Sequence, residues 1–183
     1  MRIYIFHPAS GKVDSILFHY PDQQSFPPPK AQQNYDMEGF FWHNNMLHLF
    51  SKNKVGKGNY FTKHYRLPAQ PGEYTATLLD SISLKDRVVT AAAISPDGKT
   101  VALLAYNYKI LRFFLPKTPA SVFLFTDFDG DGFLKGKMRR KKAPKFLLPT
   151  QYESLDFLDN QKIYIASERT KFIPQRARCL RIP

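Results

Sequence analysis

The sequence predicts an all-β protein built from a repeated strand unit, on three observations. First, β-branched and aromatic residues (16 Phe, 10 Tyr, 1 Trp) cluster in short runs bounded by Pro, Gly, Asn and Asp, which is strand composition. Second, several runs alternate apolar and polar residues with period two, the mark of half-buried antiparallel strands. Third, a segment recurs. Met37–Asn53 (MEGFFWHNNMLHLFSKN) aligns without a gap on Ala91–Asn107 (AAAISPDGKTVALLAYN) at a spacing of 54 residues. Tyr152–Arg169 (YESLDFLDNQKIYIASER) aligns with one extra turn residue.

Each copy reads as a hairpin. A short strand enters a polar turn (HNN, PDGK, LDNQK) with Asn, Asp or Gly where a hairpin needs them. An alternating strand leaves it, with Leu47/Leu49, Val101/Leu103 and Ile163/Ile165 inward. Around the hairpins lie further strands: RIYIF and KVDSILFHY before the first copy, FTKHYRL and EYTATLLD after it, SVFLFTD and FLKGKMRR after the second, and ARCLRI after the third. Four antiparallel strands repeated every 50 or so residues is the pattern of a β-propeller blade. The expected organisation is an outer half-blade over 1–20, blades over 36–80 and 88–142, and an incomplete blade over 151–183. A sandwich needs no such self-similarity. Fewer blades than the four to eight that close a ring imply a partial propeller. Its open edges are expected to favour self-association.

Composition limits the function classes. No 18-residue apolar stretch exists, so no transmembrane segment is expected. His7 and Pro8 interrupt the opening MRIYIF before a signal-peptide core forms. One cysteine, Cys179, excludes an internal disulfide. The net charge is +12, with seven of 27 basic residues between Lys135 and Lys145 and a second group at Arg176, Arg178 and Arg181. That cluster lacks the interleaved aromatics of a single-strand binding platform and any helix-turn-helix or zinc-finger spacing. A solvated outer strand is the favoured reading, and nucleic acid is not the expected partner.

Candidate chemistry sits at the hairpin ends. Glu38 and Glu153 occupy equivalent positions on first strands, with Ala92 expected at that position of the second copy. Lys52, Asn53, Glu168 and Arg169 end the second strands, Asn107 aligns with Asn53, and Asp36 opens the first copy. Together they form a candidate binding mouth. The Glu residues either line a channel, where carboxylates suit a hard cation, or accept backbone N–H bonds that lock blade packing. Asp127, Asp129 and Asp131 in DFDGDG match the first half of a calcium loop, but Met138 stands where a bidentate Glu closes the shell. A metal-free turn is favoured, and Ca²⁺ completed by water or a distant carboxylate is the alternative. Gly98-Lys99-Thr100 lacks the upstream glycine of a phosphate loop, and GxSxG and HExxH are absent. His43 and His48 read as surface residues of a hairpin, and Trp42 as a packing residue between sheets.

The order YPDQ, DMEGFFWHNNMLHLFSKN, HYRLP-PG-Y, AISPDGKTVALL, FLFTDFDGDGF and YESLDF-IYIASER resembles exported β-propeller proteins of the Bacteroidota, which are distantly similar to phytase-like and esterase-like propellers. The resemblance spans nearly the whole chain. It departs from the family in lacking N-terminal blades and a sorting domain, and in carrying Ala91–Ala93 in place of a more polar segment. It implies an exported location and a propeller fold, without a proven reaction. Three functions follow in order: a scaffold binding a small molecule or protein, a Ca²⁺-assisted hydrolase in which the cation polarises a phosphoryl or carbonyl oxygen, and a basic scaffold for nucleic acid or an acidic polymer.

Overall fold

The computed structural model describes residues 1–29, 35–52, 61–84, 87–107, 109–110, 116–117, 120–143, 152–169 and 174–182. In chain order the first strands are β1 (Arg2–His7), β2 (Lys12–His19), β3 (Asp36–His43), β4 (Met46–Lys52), β5 (Phe61–Pro68), β6 (Gly72–Thr75) and β7 (Thr77–Ser83). Then come β8 (Val88–Ile94), β9 (Val101–Tyr106), β10 (Lys109–Ile110), β11 (Pro116–Lys117) and β12 (Ala120–Thr126). The last are β13 (Lys137–Lys142), β14 (Tyr152–Asp159), β15 (Lys162–Ser167) and β16 (Arg176–Arg181). The described residues hold no α-helix, only a 3-10 turn at Phe133–Lys135. The fold is all-β.

Four sheets follow one another along the chain, with strand orders β1-β2-β6, β3-β4-β5-β7, β13-β12-β9-β8 and β14-β15-β16, and a small β10-β11 hairpin aside. Pairing is antiparallel except where β6 runs parallel to β2. That exception corrects the expected single strand EYTATLLD. Its first half joins the first sheet, the chain crosses at buried Ala76, and its second half pairs with β5 as β7. The crossing is fastened by the Ala76 N–H on the His19 carbonyl at 3.0 Å. FLKGKMRR is likewise divided, into the 3-10 turn and β13.

The hairpin connecting β3 to β4 turns on Asn44 and Asn45, both at positive φ (48° and 60°). Asn tolerates the left-handed region that this tight connection requires. The β8–β9 connection is longer. Ser95 Oγ donates to Asp97 at 2.6 Å and accepts the Thr100 N–H at 2.9 Å, while Gly98 takes φ 70°.

Apolar layers lie between consecutive sheets because inner strands such as β4, β9 and β12 bury side chains on both faces in turn. Ile16, Phe18 and Tyr20 meet Leu47, Leu49, Tyr65 and Leu67 between the first and second sheets. Phe41 and Phe50 meet Val89, Leu103, Phe123, Phe125 and Phe133 between the second and third. Val122 and Leu124 meet Leu155, Ile163 and Ile165 between the third and fourth. Each fully buried Phe, Leu or Ile contributes about 1.5–3 kcal/mol. Trp42 reverses its expected packing role and is 58% exposed, as is its neighbour-but-one Phe40 at 52%. Strand alternation turns Phe41 to the third sheet and puts Phe40 and Trp42 on the face of Leu49 and Leu47, which is buried at β4 but left uncovered at β3.

The first strands of the last three sheets, β3, β8 and β14, pack side by side. Small residues permit this. A Cβ on Gly39 would stand 2.8 Å from the Ala92 nitrogen and 2.9 Å from the Ala91 carbonyl carbon, both backbone atoms that cannot swing aside. The Ala91–Ala93 run is therefore the seam on which β3 rests. Gly39→Ala is expected to destabilise the protein by about 1–3 kcal/mol, the usual cost of overpacking a closed contact. Thermal or urea unfolding of the two proteins measures it, and an unchanged midpoint would show that the seam is looser than described.

Candidate functional site

Each of these first strands carries a β-bulge near its start. Met37 pairs with Ser51 and Gly39 with Phe50, leaving Glu38 extra. Val89 pairs with Ala105 and Ala91 with Leu104, leaving Thr90 extra. Tyr152 pairs with Ser167 and Ser154 with Ala166, leaving Glu153 extra. Bulges interrupt the ladder and re-aim one side chain, and they gather beside functional sites. Glu38 and Glu153 are thus equivalent, as the repeat implies, but their third counterpart is Thr90 and not Ala92. Leu47 pairs with Trp42 whereas Val101 pairs with Ile94, so the second connection is two residues longer. A shift of two preserves strand alternation, which is why the ungapped alignment conceals it.

The ends of the second strands are equivalent too: Lys52, Tyr106 and Glu168 follow matching positions of β4, β9 and β15. These six residues occupy one region. Lys52 Nζ donates to Glu38 Oε1 at 3.0 Å, both side chains about three-quarters buried. Thr90 Oγ1 donates to the Tyr152 carbonyl at 3.0 Å and ties the third sheet to the fourth. Burial pushes the Glu153 carboxyl up, helped by a hydrogen bond to the Glu168 carboxyl and by its charge, with Lys52 opposing. Burial works against the Lys52 ammonium, but the Glu38 hydrogen bond and the Tyr106, Glu38 and Glu153 charges leave it raised. Tyr106 is raised by burial, with Lys52 opposing and the Glu153, Glu38 and Glu168 charges assisting. Groups from three sheets, more than 100 residues apart in sequence, therefore feel one another's charge.

Other expected mouth residues fall out differently. Asp36 is exposed and pairs with Lys52 across the ladder, Asn107 is buried just beyond β9, and Arg169 is exposed beyond Glu168. Asn53 lies outside the described residues, as does Lys145 of the basic run. The three aspartates of DFDGDG are divided. Asp127 lines a hollow of about 340 Å³ with His43, Gly98 and Lys99, and Asp129 and Asp131 line another of about 330 Å³ with Leu79 and Lys135. Asp131 is ion-paired to Arg66 of the second sheet. Among the described residues no three His, Cys, Asp or Glu side chains are grouped to hold a metal ion.

Sequence reasoning missed a buried string of polar groups between the second and third sheets. His48 and His64 are both 0% exposed, which overturns the surface reading of His48. His64 Nδ1 lies 2.9 Å from Asp80 Oδ1, and His48 Nδ1 lies 2.9 Å from His64 Nε2. Asp80 accepts only, so His64 donates to it from Nδ1, and the ring nitrogens His64 Nε2 and His48 Nδ1 share the second hydrogen bond. Asp80 Oδ2 accepts the Leu134 N–H at 3.2 Å and so anchors the 3-10 turn of the third sheet. Phe50 stacks on His64 at 4.6 Å and 6°, and Phe133 stacks on its other side at 5.2 Å and 26°. The only hint in sequence was the placement of His48, His64 and Asp80 on three consecutive strands of one sheet.

Comparison with protein-family models finds no match, and comparison with curated protein sequences finds none either.

Two opposite pH dependences follow. The Glu153 carboxyl is raised on folding, so its contribution is full below the ordinary Glu value and is lost as pH rises through the folded value. Glu153→Gln is expected to stabilise the protein at pH 7 relative to wild type and to lose that advantage near pH 4. Burial, aided by His64, pulls the His48 imidazole down to about 4. Its contribution is full above about 6.5 and is lost as pH falls towards 4. His48→Gln should be less stable at pH 7, yet show a flatter decline between those values. Thermal melting of both variants across this range checks each sign.

Proposed function

We propose that the chain consists of consecutive blades of a β-propeller of the exported Bacteroidota type. Its inner-strand mouth binds a small cationic ligand, such as an amine or guanidinium compound, without catalysing a reaction. The propeller reading is supported by sheets that follow one another in chain order, by apolar layers between successive faces, and by first strands packed together like strands around an axis. The export reading rests on the resemblance alone.

One observation carries the ligand class: Glu153 feels the carboxyl groups of Glu168 and Glu38 and the ammonium of Lys52, which is itself paired with Glu38. Glu38 is satisfied by Lys52, whereas Glu153 and Glu168 face each other and Glu153 holds its proton more tightly than usual. A cation entering between them supplies the missing counter-charge. The overall charge of +12 does not cancel this attraction, because charges beyond about 8–10 Å are screened at physiological salt. Hydrolytic catalysis through Ca²⁺ is less favoured. Among the described residues no three His, Cys, Asp or Glu side chains are grouped to hold a metal ion.

Thermal shift with spermidine, lysine or choline, at matched ionic strength, tests the reading. At least one amine is expected to raise the melting temperature of the wild type and to leave Glu153→Gln/Glu168→Gln unmoved. No shift with any amine, or the same shift in the double variant, would overturn it.

A further inference from the structure

The two basic groups of the sequence meet in the fold. Six basic residues lie in Lys135–Lys142 and three in Arg176–Arg181, nine of 27 in the chain, and neither run contains an acid. β13 ends the third sheet and β16 ends the fourth among the described residues. The Lys141 ammonium hydrogen-bonds the Arg181 carbonyl, so the outermost strands of two sheets touch.

Strand register shows where the charges point. Lys141 pairs with Val122 and Arg139 with Leu124, both in the apolar layer between the third and fourth sheets. Alternation therefore turns Lys137, Arg139 and Lys141 towards that seam. On the other side, Arg178 pairs with Ile165 and Leu180 with Ile163, and these isoleucines belong to the same layer. Arg176 and Arg178 thus face the seam from the fourth sheet. Their positive charge reaches Tyr152 beneath, where it opposes the upward pull of burial on the phenol. The Tyr152 hydroxyl is buried without a hydrogen-bond partner. None of the ion pairs among the described residues involves β13.

Edge lysines commonly serve to prevent strand pairing. That role explains one or two charges on β13. It does not explain arginines of a second sheet turned to the same seam.

We propose that this ridge binds the phosphate backbone of double-stranded nucleic acid without reading its sequence. Guanidinium and ammonium groups, hydroxyls and open backbone N–H groups are the donors that grip phosphate. Both strands offer guanidinium groups, and β13 adds ammonium groups and the N–H groups of its outer edge. The ridge lacks what single strands use: no aromatic ring stands in either run to stack on unpaired bases. At low salt, where screening is weak, the net charge of +12 adds attraction.

Fluorescence anisotropy of a short labelled DNA duplex with the full chain, between about 50 and about 200 mM salt, provides the test. Affinity is expected to fall steeply with salt, with a slope of about −0.9 per phosphate contacted. Arg139→Gln/Lys141→Gln should weaken binding and flatten the slope by roughly two contacts. Arg176→Gln/Arg178→Gln should do the same from the other strand, and Lys12→Gln on the first sheet should change neither. Melting curves establish that the variants are folded. The proposal fails if the duplex does not bind at low salt, or if both ridge variants keep the wild-type slope. It also fails if single-stranded DNA or polyglutamate of equal charge binds as tightly as the duplex.

Discussion

The arrangement depends on how closely β3 can approach β8. Backbone meets backbone at Gly39 and Ala91–Ala92, with no room for one methyl group. β-Strands of different sheets seldom lie so close, because side chains hold packed faces about 10 Å apart. Removing the side chain on one strand and reducing it to methyl on the other brings the sheet edges together. Thr90 then fastens the opposite side by donating to the Tyr152 carbonyl of β14. The Ala91–Ala93 run is, in this fold, what lets β3 and β8 share one seam.

The candidate site is a consequence of that seam. Bulges at Glu38, Thr90 and Glu153 turn each extra side chain out of its ladder at the same level of three sheets. Once the strands are side by side, these positions and the strand ends Lys52, Tyr106 and Glu168 fall within electrostatic reach. Away from the seam the sheets are held by their faces. The Asp80–His64–His48 string is part of that hold, since Asp80 also takes the Leu134 N–H of the next sheet. A buried hydrogen bond contributes only about 1 kcal/mol net, but leaving its partner unsatisfied costs more. Such a string therefore selects one register between the second and third sheets more than it adds stability.

Much of the strand content was legible because period-two alternation is local. Leu47/Leu49, Val101/Leu103 and Ile163/Ile165 are all buried, but half-burial holds only in β15, since His48, Phe50, Ala102 and Leu104 of β4 and β9 are buried too. What failed depended on tertiary partners. EYTATLLD looks continuous, yet Ala76 carries it from one sheet to another, and nothing local marks the crossing. His48 beside a polar turn reads as exposed until a third sheet covers it. Trp42 reads as core from its size, but its face, buried at Leu47 of β4, is left uncovered at β3. The equivalence of Glu38 and Glu153 was visible, whereas Thr90 was hidden by a connection two residues longer. The meeting of β13 with β16 joins residues 40 apart, beyond the reach of any local pattern.

The central claim is that the second and fourth sheets contribute to one electrostatic site around a shared seam. Titration of Glu153 by carboxyl-carbon NMR, in the wild type and in Lys52→Met, measures this directly. The ammonium of Lys52 holds the Glu153 value down and the Glu38 charge holds it up. Removing Lys52 should therefore move the Glu153 midpoint to higher pH, and Glu38→Gln should move it lower. A Glu153 titration indifferent to both substitutions would mean that β3 and β14 do not share a site, and the account would be wrong at its base.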